Sequence, residues 1–264
     1  MGAFVELNNR EWATVADLFD RPGRRGTPAK ISRRRMVNAM LFMARTGIQW
    51  RYLPKRYGRW EAVWQQWRRW RDNGVWARAM ARLARRIRVA KGRNAEPSML
   101  MIDAQTVRGG RAGPTFHNAG GRGGRTIGTK RSVVIEILGL PLAVQADPAK
   151  PHDVRAGRAF LGAHLGELPN VKAIVADRGY SGLAKFAAKN NLVLDIKRAP
   201  AAAPGQKRVF VPIPPLYKVE HIFARLGRWR RLSRCYEGSP ASARCWLEVA
   251  SVGYLLARLR VEPT

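Results

Sequence analysis

The chain has 264 residues, and 49 Lys and Arg residues against 18 Asp and Glu residues give it a formal net charge of +31. With 46% hydrophobic residues it can bury a core, so a disordered polycation is excluded. So large a charge on a folded chain predicts a polyanionic partner. The apolar runs are too short to cross a bilayer and no signal-peptide pattern is visible, so we expect a cytoplasmic protein that binds no membrane.

The first part of the chain has the spacing of helices. Apolar residues at helical intervals follow Ser32, a candidate N-cap, and a second stripe carries Trp60, Trp64 and Trp67. The Trp spacing favours a buried helix face over base stacking. Three short helices with this much Arg suggest a helix-turn-helix-like module, so we predict a helical DNA-binding domain over residues 1–92.

Beyond a linker at 91–97 the pattern changes to short apolar runs typical of strands. Two of these runs join at a turn over 139–141, and Glu136 just before it is expected to face outward. The element order is strand, strand, strand, helix, strand, helix, strand, helix. This order indicates an α/β (mixed α+β) fold with helices packed on a sheet, and we assign it to a second domain at 93–264.

Two carboxylates stand at the ends of apolar strands. Asp103 and Asp177 each follow a short apolar run, and ligands gather at the carboxyl ends of strands. Asp195, inside a strand pattern, is the nearest competitor, and Glu220 on a basic helix offers a third carboxylate. A single strand-end Asp is more often a turn or cap residue, so the prediction depends on the set of three.

Three carboxylates in a cationic protein indicate metal ions, because Mg²⁺ prefers hard oxygen ligands and substrate phosphate oxygens. Two such ions about 3.5–4 Å apart activate the attacking oxygen and stabilise the leaving one in phosphoryl displacement. The surrounding Arg residues would offset the repulsion between a phosphodiester and the carboxylates.

Segments spread over roughly residues 30 to 260 are similar to one known family. The main ones are TGIQWRYLPKRYGRWEAVWQQWRRWRDNGVW (46–76), IDAQTVR (102–108), VADRGY (175–180) and VEHIFARLGRWRRLSRCYE (219–237), with shorter matches at GLPLAV (139–144) and PHDV (151–154). They resemble bacterial insertion-sequence transposases of the DDE type, in the short group with a helical N-terminal domain and an RNase H-like catalytic domain.

The resemblance makes Asp103, Asp177 and Glu220 the catalytic and metal-binding triad, with Mg²⁺ as the metal and Mn²⁺ as its usual substitute. It implies an enzyme that cuts and joins DNA at the ends of its own element, first with water and then with a DNA 3′ hydroxyl as nucleophile. The implied partner is double-stranded DNA, both terminal inverted repeats and target, held by a homodimer in the nucleoid.

Arginines of both parts are candidates for contact with the DNA backbone. They are Arg33, Arg34, Arg59, Arg68, Arg69, Arg225, Arg228, Arg230 and Arg231. The last four are expected on one dense basic helix that also carries Glu220. The segment GGRGGR (120–125) is expected in a loop that touches DNA, and His117 just before it is expected to be solvated or near phosphate. Asp153 is expected to N-cap a helix.

Three positions depart from the family pattern. Leu216 stands where a basic residue is usual, one helical turn before the catalytic Glu; His221 replaces an Arg, and Cys235 an acidic residue. These departures leave open a decayed or non-catalytic DNA-binding protein. A related metal-dependent nuclease also stays open, because its chemistry differs only in the second nucleophile.

Overall fold

The computed structural model describes residues 5–20, 30–110, 119–120, 126–198 and 213–261. In this part of the chain, four helices precede the sheet: α1 (Asn9–Phe19), α2 (Arg33–Thr46), α3 (Trp60–Asp72) and α4 (Val75–Ala90). Two short 3₁₀ helices, Trp50–Tyr52 and Lys55–Tyr57, lie between α2 and α3. His117 and residues 121–125 of the glycine-rich segment lie outside the described residues.

Strands and helices alternate in the remainder. The described strands are β1 (Met99–Arg108), β2 (Ala119–Gly120), β3 (Thr126–Ile135), β4 (Pro141–Pro148), β5 (Ala173–Asp177) and β6 (Val193–Lys197). The helices are α5 (Asp153–His164), α6 (Ala184–Lys189), α7 (Tyr217–Gly227) and α8 (Pro240–Val261). The 3₁₀ helices here are Leu165–Glu167, Arg178–Leu183 and Arg230–Leu232. Among the described helices, none is both long and apolar enough to span a membrane.

The strands form one mixed sheet. β4, β3 and β1 are antiparallel neighbours, β5 pairs with β1 in parallel, and β6 pairs in parallel with β5. The short β2 pairs with β3. The predicted class is therefore confirmed: an α/β (mixed α+β) fold in which helices precede a mixed sheet.

Caps fix where the first helices begin and end. Asn8 and Glu11 form a reciprocal capping box at α1, with each side chain accepting from the other's main-chain N at 2.8 Å. Ser32 is confirmed as the cap of α2, since its hydroxyl accepts from Arg35 N. Gly47 ends α2 with φ of 73°, a left-handed conformation that glycine adopts readily.

Two hydrophobic cores lie on opposite faces of the sheet. The larger core combines α1–α4, α7 and α8 with the sheet face that carries Met101 and Val175. The smaller core, beneath α5 and α6, contains Leu100 and Ile102. This alternation along β1 is the strand period of two, so Asp103 lies on the same face as Met101, toward α7.

The tryptophan stripe packs into the larger core. Trp67 is 3% exposed and stacks on Trp246 of α8, with ring centroids 5.2 Å apart. Trp60 and Trp64 are half-buried against the same core. The interpretation of this stripe as a buried helix face is confirmed.

Glu136 is buried, and the expectation that it faces outward is wrong. Its Oε1 accepts hydrogen bonds from Leu138 N and Leu140 N, and its Oε2 accepts one from Arg88 of α4. The turn that follows β3 and the distant Arg88 together satisfy the carboxylate. Neither contact follows from the alternation of residues along the strand.

The basic segment after Glu220 is not one helix, which corrects the sequence expectation. α7 ends at Gly227, and only the 3₁₀ turn Arg230–Leu232 follows. Trp229 packs against Gly253 of α8 so closely that a Cβ at Gly253 would lie 2.2 Å from the indole. This contact turns the chain inward, away from a helical path.

Candidate active site

Asp103 and Asp177 occupy equivalent positions on neighbouring strands. The parallel ladder pairs Met101 of β1 with Val175 of β5, and each carboxylate follows two residues later. Because side chains alternate between the faces of a strand, both carboxylates lie on the face of Met101 and Val175. The structure therefore brings these two predicted residues together where β5 ends and in the middle of β1, on the side of α7.

Helix α7 carries Glu220 over the same region. Val219 and Ile222 lie on the buried side of its first turns, and Glu220 lies on the exposed side. Glu220 and Asp103 line one cavity of about 640 Å³, which is walled by β1, α7, the loop after α7 and Arg131 of β3. Asp177 is outside this lining.

Asp103 is held in an environment that opposes its ionisation. Its pKa is raised to about 6, first by burial and then by the charges of Asp177, Asp153 and Glu220, against the lowering effect of the hydrogen bond from Ala104 N at 2.7 Å. These influences on Asp103 show that the three predicted carboxylates share one electrostatic environment. A cation among them would relieve their repulsion.

Asp177 is also a cap. Its Oδ1 accepts from Gly179 N at 2.9 Å at the start of the 3₁₀ helix Arg178–Leu183. A Cβ on Gly179 would lie 3.0 Å from that oxygen, so a side chain at this position would displace the carboxylate by a few tenths of an ångström. The turn thereby fixes one carboxylate oxygen.

The donor chemistry of Asp103, Asp177 and Glu220 fits a hard divalent cation, since all three offer carboxylate oxygens. Their side chains are nevertheless not gathered into a tight cluster. Within the described ranges, no group of three or more His, Cys, Asp or Glu side chains is placed to hold a metal ion. Asp195, the sequence competitor, is instead paired with Lys197 on β6 at 2.7 Å.

Asp153 and Tyr180 interact electrostatically with Asp103, and Lys130 pairs with Asp153; none of the three was predicted as a site residue. Lys130 of β3, which is 6% exposed, donates to Asp153 Oδ1 at 2.5 Å. Tyr180 is buried, and its pKa is raised by that burial and then by the charges of Asp103, Asp153 and Asp177. Lys130 could have been noticed in the sequence, because a lysine is unusual inside a strand pattern.

Asp153 is not the N-cap of α5, which corrects the sequence expectation. The N-cap is His152, because its Nδ1 accepts a hydrogen bond from Val154 N.

Arg131 is a buried cation in the cavity wall. It is 6% exposed, and its guanidinium donates to the carbonyl oxygens of Leu232 and Arg234 in the loop after α7. Burial lowers the pKa of Arg131, and the side chain of Cys235 acts in the opposite direction. Cys235, one of the departures from the family pattern, therefore lies beside this guanidinium.

The other two departures lie at the start of α7. Leu216 is the N-cap residue of α7 and makes no side-chain capping bond, and it packs against the larger core. His221 is exposed, with its ring edge-on to Tyr217 at 5.3 Å between centroids.

The predicted DNA-binding arginines fall into three places. Arg33 and Arg34 begin α2; Arg59, Arg68 and Arg69 precede or lie on α3; and Arg225, Arg228, Arg230 and Arg231 lie at the end of α7 and just after it.

Not all of these guanidinium groups face solvent freely. Arg231 is half-buried, ion-paired with Glu237 at 2.7 Å and stacked over Trp246 at 4.4 Å. Arg34 donates to Asn9 Oδ1, whereas Arg69 and Arg230 are exposed.

Comparison with known proteins identifies two family matches. Residues 7–80 match a family described as "Putative transposase of IS4/5 family", and residues 94–204 match "Transposase DDE domain". The second match includes Asp103 and Asp177 and ends before α7.

Two relatives and two solved structures are similar. The uncharacterised protein y4sN of Sinorhizobium fredii is 38% identical over 104 residues, which is 39% of this chain and 75% of that protein. An uncharacterised 16.2 kDa protein of insertion element IS402 from Burkholderia cepacia is 28% identical over 113 residues, 40% of this chain and 76% of that protein.

Among solved structures, the piggyBac transposase synaptic complex with hairpin DNA aligns at a TM-score of 0.41 and 12% identity, covering 94% of this chain and 71% of that one. The Mos1 strand transfer complex aligns at 0.33 and 14%, covering 90% and 79%. With the two family matches and the insertion-element relative, the chain belongs to the insertion-sequence transposases of the DDE type.

Proposed function

We propose that this chain cuts and joins double-stranded DNA at the inverted-repeat ends of its own insertion sequence by two-metal phosphoryl transfer. Asp103, Asp177 and Glu220 are the proposed catalytic and metal-binding residues. The observation that carries the proposal is the shared register of Asp103 and Asp177 on one face of the sheet, beside a cavity that Glu220 also lines.

The metal is proposed to be Mg²⁺, for which Mn²⁺ substitutes. When bound, divalent ions activate the attacking oxygen and stabilise the leaving one. The chain's own residues hold the ligands in place: β1 and β5 are rigid supports for Asp103 and Asp177, and the Gly179 N–H orients one Asp177 oxygen. Arg131 of β3 donates hydrogen bonds to the loop after α7, so it holds the part of the cavity wall that this loop forms.

DNA is proposed to contact both parts of the chain. Residues 1–92 would bind the terminal inverted repeats, residues 93–264 would carry out the chemistry, and two copies would hold the two ends of the element together. The net charge of +31 and the exposed arginines of α3 and of the loop after α7 support contact with the phosphate backbone.

The test is cleavage of a supercoiled plasmid that carries the element with its native flanks. Purified protein with Mg²⁺ is expected to cut at the element ends, and EDTA or Asp103→Ala is expected to abolish the cuts. A second plasmid added as target should receive the element ends. Cuts without joined product would identify a nuclease instead of a transposase.

A second candidate, a DNA-binding protein that no longer cuts, is favoured by one observation. In the described residues the three carboxylates do not form a compact metal-binding cluster. Under this alternative, the protein binds the element ends tightly and in a salt-sensitive way. No cut appears with Mg²⁺ or Mn²⁺, and Asp103→Ala changes nothing beyond affinity.

A further inference from the structure

Lys218 lies on α7 two residues before Glu220, and its ammonium group points away from the cavity. Nζ donates a hydrogen bond to the carbonyl oxygen of Ile137, in the turn between β3 and β4, at 2.5 Å. Lys218 is half-buried and does not line the cavity that Asp103 and Glu220 share. Lys218 therefore binds the turn instead of supplying charge to the site.

The turn that receives this hydrogen bond is itself fixed. Glu136 is 0% exposed, and its Oε1 accepts from Leu138 N at 2.7 Å and from Leu140 N at 3.1 Å. Gly139 N also donates to the carbonyl oxygen of Glu136 at 2.8 Å. Because these bonds hold the backbone on both sides of Ile137, its carbonyl is a rigid acceptor.

The same carboxylate connects the turn to the N-terminal helices. Glu136 Oε2 accepts from Arg88 of α4, which is 5% exposed. Arg88 Nε donates in turn to the carbonyl oxygen of Asn94, in the linker between α4 and β1, at 2.8 Å. A continuous set of bonds therefore runs from α4 through the turn to α7.

Among the described residues, the start of α7 is held otherwise by apolar packing and by main-chain hydrogen bonds such as Tyr217 N to Ile213 O at 3.1 Å. Its N-cap residue, Leu216, makes no side-chain capping bond. Its buried core residues are Val219, Ile222 and Leu226, Leu216 packs beside them, and apolar packing is not directional. A hydrogen bond from Lys218 to a rigid carbonyl supplies the direction that this packing lacks.

We propose that Lys218 is a positioning residue for Glu220. Its hydrogen bond to Ile137 O fixes the position of the first turn of α7 over the sheet. The bonds of Glu136 and Arg88 fix the position of that turn relative to helix α4. This inference rests on the proposed role of Glu220 in DNA cleavage. It gives Lys218 a task different from that of the basic residue usual at position 216, because its ammonium group lies outside the cavity.

The first test is single-turnover cleavage of an element-end DNA by the full chain. Lys218→Met keeps the alkyl stem and removes the donor. We expect the rate at saturating DNA to fall on the order of tenfold, because small misplacements of a catalytic group are costly, while the Kd for DNA is unchanged. Lys218→Arg keeps a donor and should recover most of the rate. Lys185→Met, at an exposed lysine on α6, is the matched control and should behave like the wild type.

The second test does not require activity. Amide hydrogen exchange in the first turns of α7 should be faster in Lys218→Met than in the wild type or in Lys185→Met. Wild-type exchange together with a wild-type cleavage rate would overturn the proposal. If the wild-type chain cuts no DNA, the proposed function fails, and the exchange measurement still decides the role of Lys218. If Lys218→Met does not fold, Lys218→Gln, with a shorter donor, takes its place.

Discussion

Asp177 combines a structural and a proposed catalytic role in one side chain. A strand-end Asp that caps a turn is common, and Asp177 does accept from Gly179 N. The same bond also fixes the carboxylate beside Asp103, whose pKa it raises. The capping role is therefore compatible with the proposed metal binding, since it fixes the orientation of the carboxylate.

A substitution at Gly179 tests whether the orientation of the Asp177 carboxylate matters. Gly179→Ala would place a Cβ 3.0 Å from Asp177 Oδ1, so the carboxylate must move. We expect DNA cleavage to fall on the order of tenfold or more, with little change in thermal stability. The matched control is Gly166→Ala, where a Cβ would meet nothing within 4 Å. Equal activity of the two variants would show that the orientation of Asp177 is unimportant.

Glu248 of α8 is an acid buried away from the site. It is 5% exposed, and burial raises its pKa to about 7 from an ordinary 4.5, although Arg244 Nε lies 3.4 Å from its carboxylate. The folded chain thus holds this proton more tightly than the unfolded chain does. Stability from this group is present at low pH and is lost as the pH rises through about 7.

We predict a pH-dependent difference between the wild type and Glu248→Gln. Near pH 5 both side chains are neutral and the two proteins should have similar free energies of unfolding. By about pH 8.5 the variant should be more stable by about 2–3 kcal/mol, because it has no buried charge to form. Urea unfolding at both pH values measures the difference. A gap independent of pH would mean that Glu248 titrates normally in the folded protein.

At the scale of elements, local patterns were sufficient for much of the fold and for part of the site. The order of helices and strands along the chain, the Ser32 cap and the position of Asp177 at the end of β5 follow from short sequence windows. The expectation that Asp103 ends its strand is wrong, because β1 continues to Arg108 through its pairing with β3. The burial of Glu136 could not be predicted from a short window, because its partner Arg88 is 48 residues away in the chain. Contacts between distant elements decided each error.

The basic segment after α7 and the surroundings of Asp103 show the same limit. Trp229 leaves the helical path because it packs against Gly253 of α8, which no local period reveals. Asp153 influences the pKa of Asp103, and Lys130 of β3 pairs with Asp153, only because the fold brings the start of α5 beside β1 and β3. Such residues are brought together by the sheet and not by spacing in the chain.

The ion pair between α4 and the β3–β4 turn yields a stability prediction. Arg88→Met leaves the carboxylate of Glu136 buried without its cation, which costs about 3–5 kcal/mol in comparable cases. Arg88→Met/Glu136→Gln should recover most of this loss, since Gln keeps an acceptor for Leu138 N and Leu140 N. Denaturant unfolding measures both.

The control is an exposed arginine of the same helix. Arg86→Met should change the free energy of unfolding by less than about 0.5 kcal/mol. If Arg88→Met were equally mild, the buried pair would contribute little to holding α4 against the sheet.

At the scale of the whole molecule, the net charge of +31 overstates the number of basic side chains that are available to contact DNA. Several guanidinium groups have partners within the chain: Arg231 pairs with Glu237, Arg260 pairs with Glu11, and Arg131 binds backbone carbonyls. Exposed groups such as Arg230 carry the proposed phosphate contacts. The partners of each arginine matter more than their number.

Arg230 and Arg231 are neighbours with opposite expected behaviour. Arg230→Gln should weaken DNA binding and lower the slope of log K against log salt by about 1, with unchanged stability. Arg231→Gln should lower the free energy of unfolding, because it removes the pair with Glu237 and the stacking on Trp246. Binding titrations at several salt concentrations and thermal unfolding separate the two. An unchanged salt slope in Arg230→Gln would remove this residue from the DNA contact.

The most direct measurement is cleavage of element-end DNA by Asp103→Asn, Asp177→Asn and Glu220→Gln, tested singly and in pairs, with Asp195→Asn as control. If the three carboxylates form one catalytic unit, each single variant loses activity on the order of a hundredfold or more, and a second substitution adds little. DNA affinity and activity of Asp195→Asn stay near wild type. Metal-dependent cleavage that survives in any one of the three variants would contradict the assignment of that residue to the site.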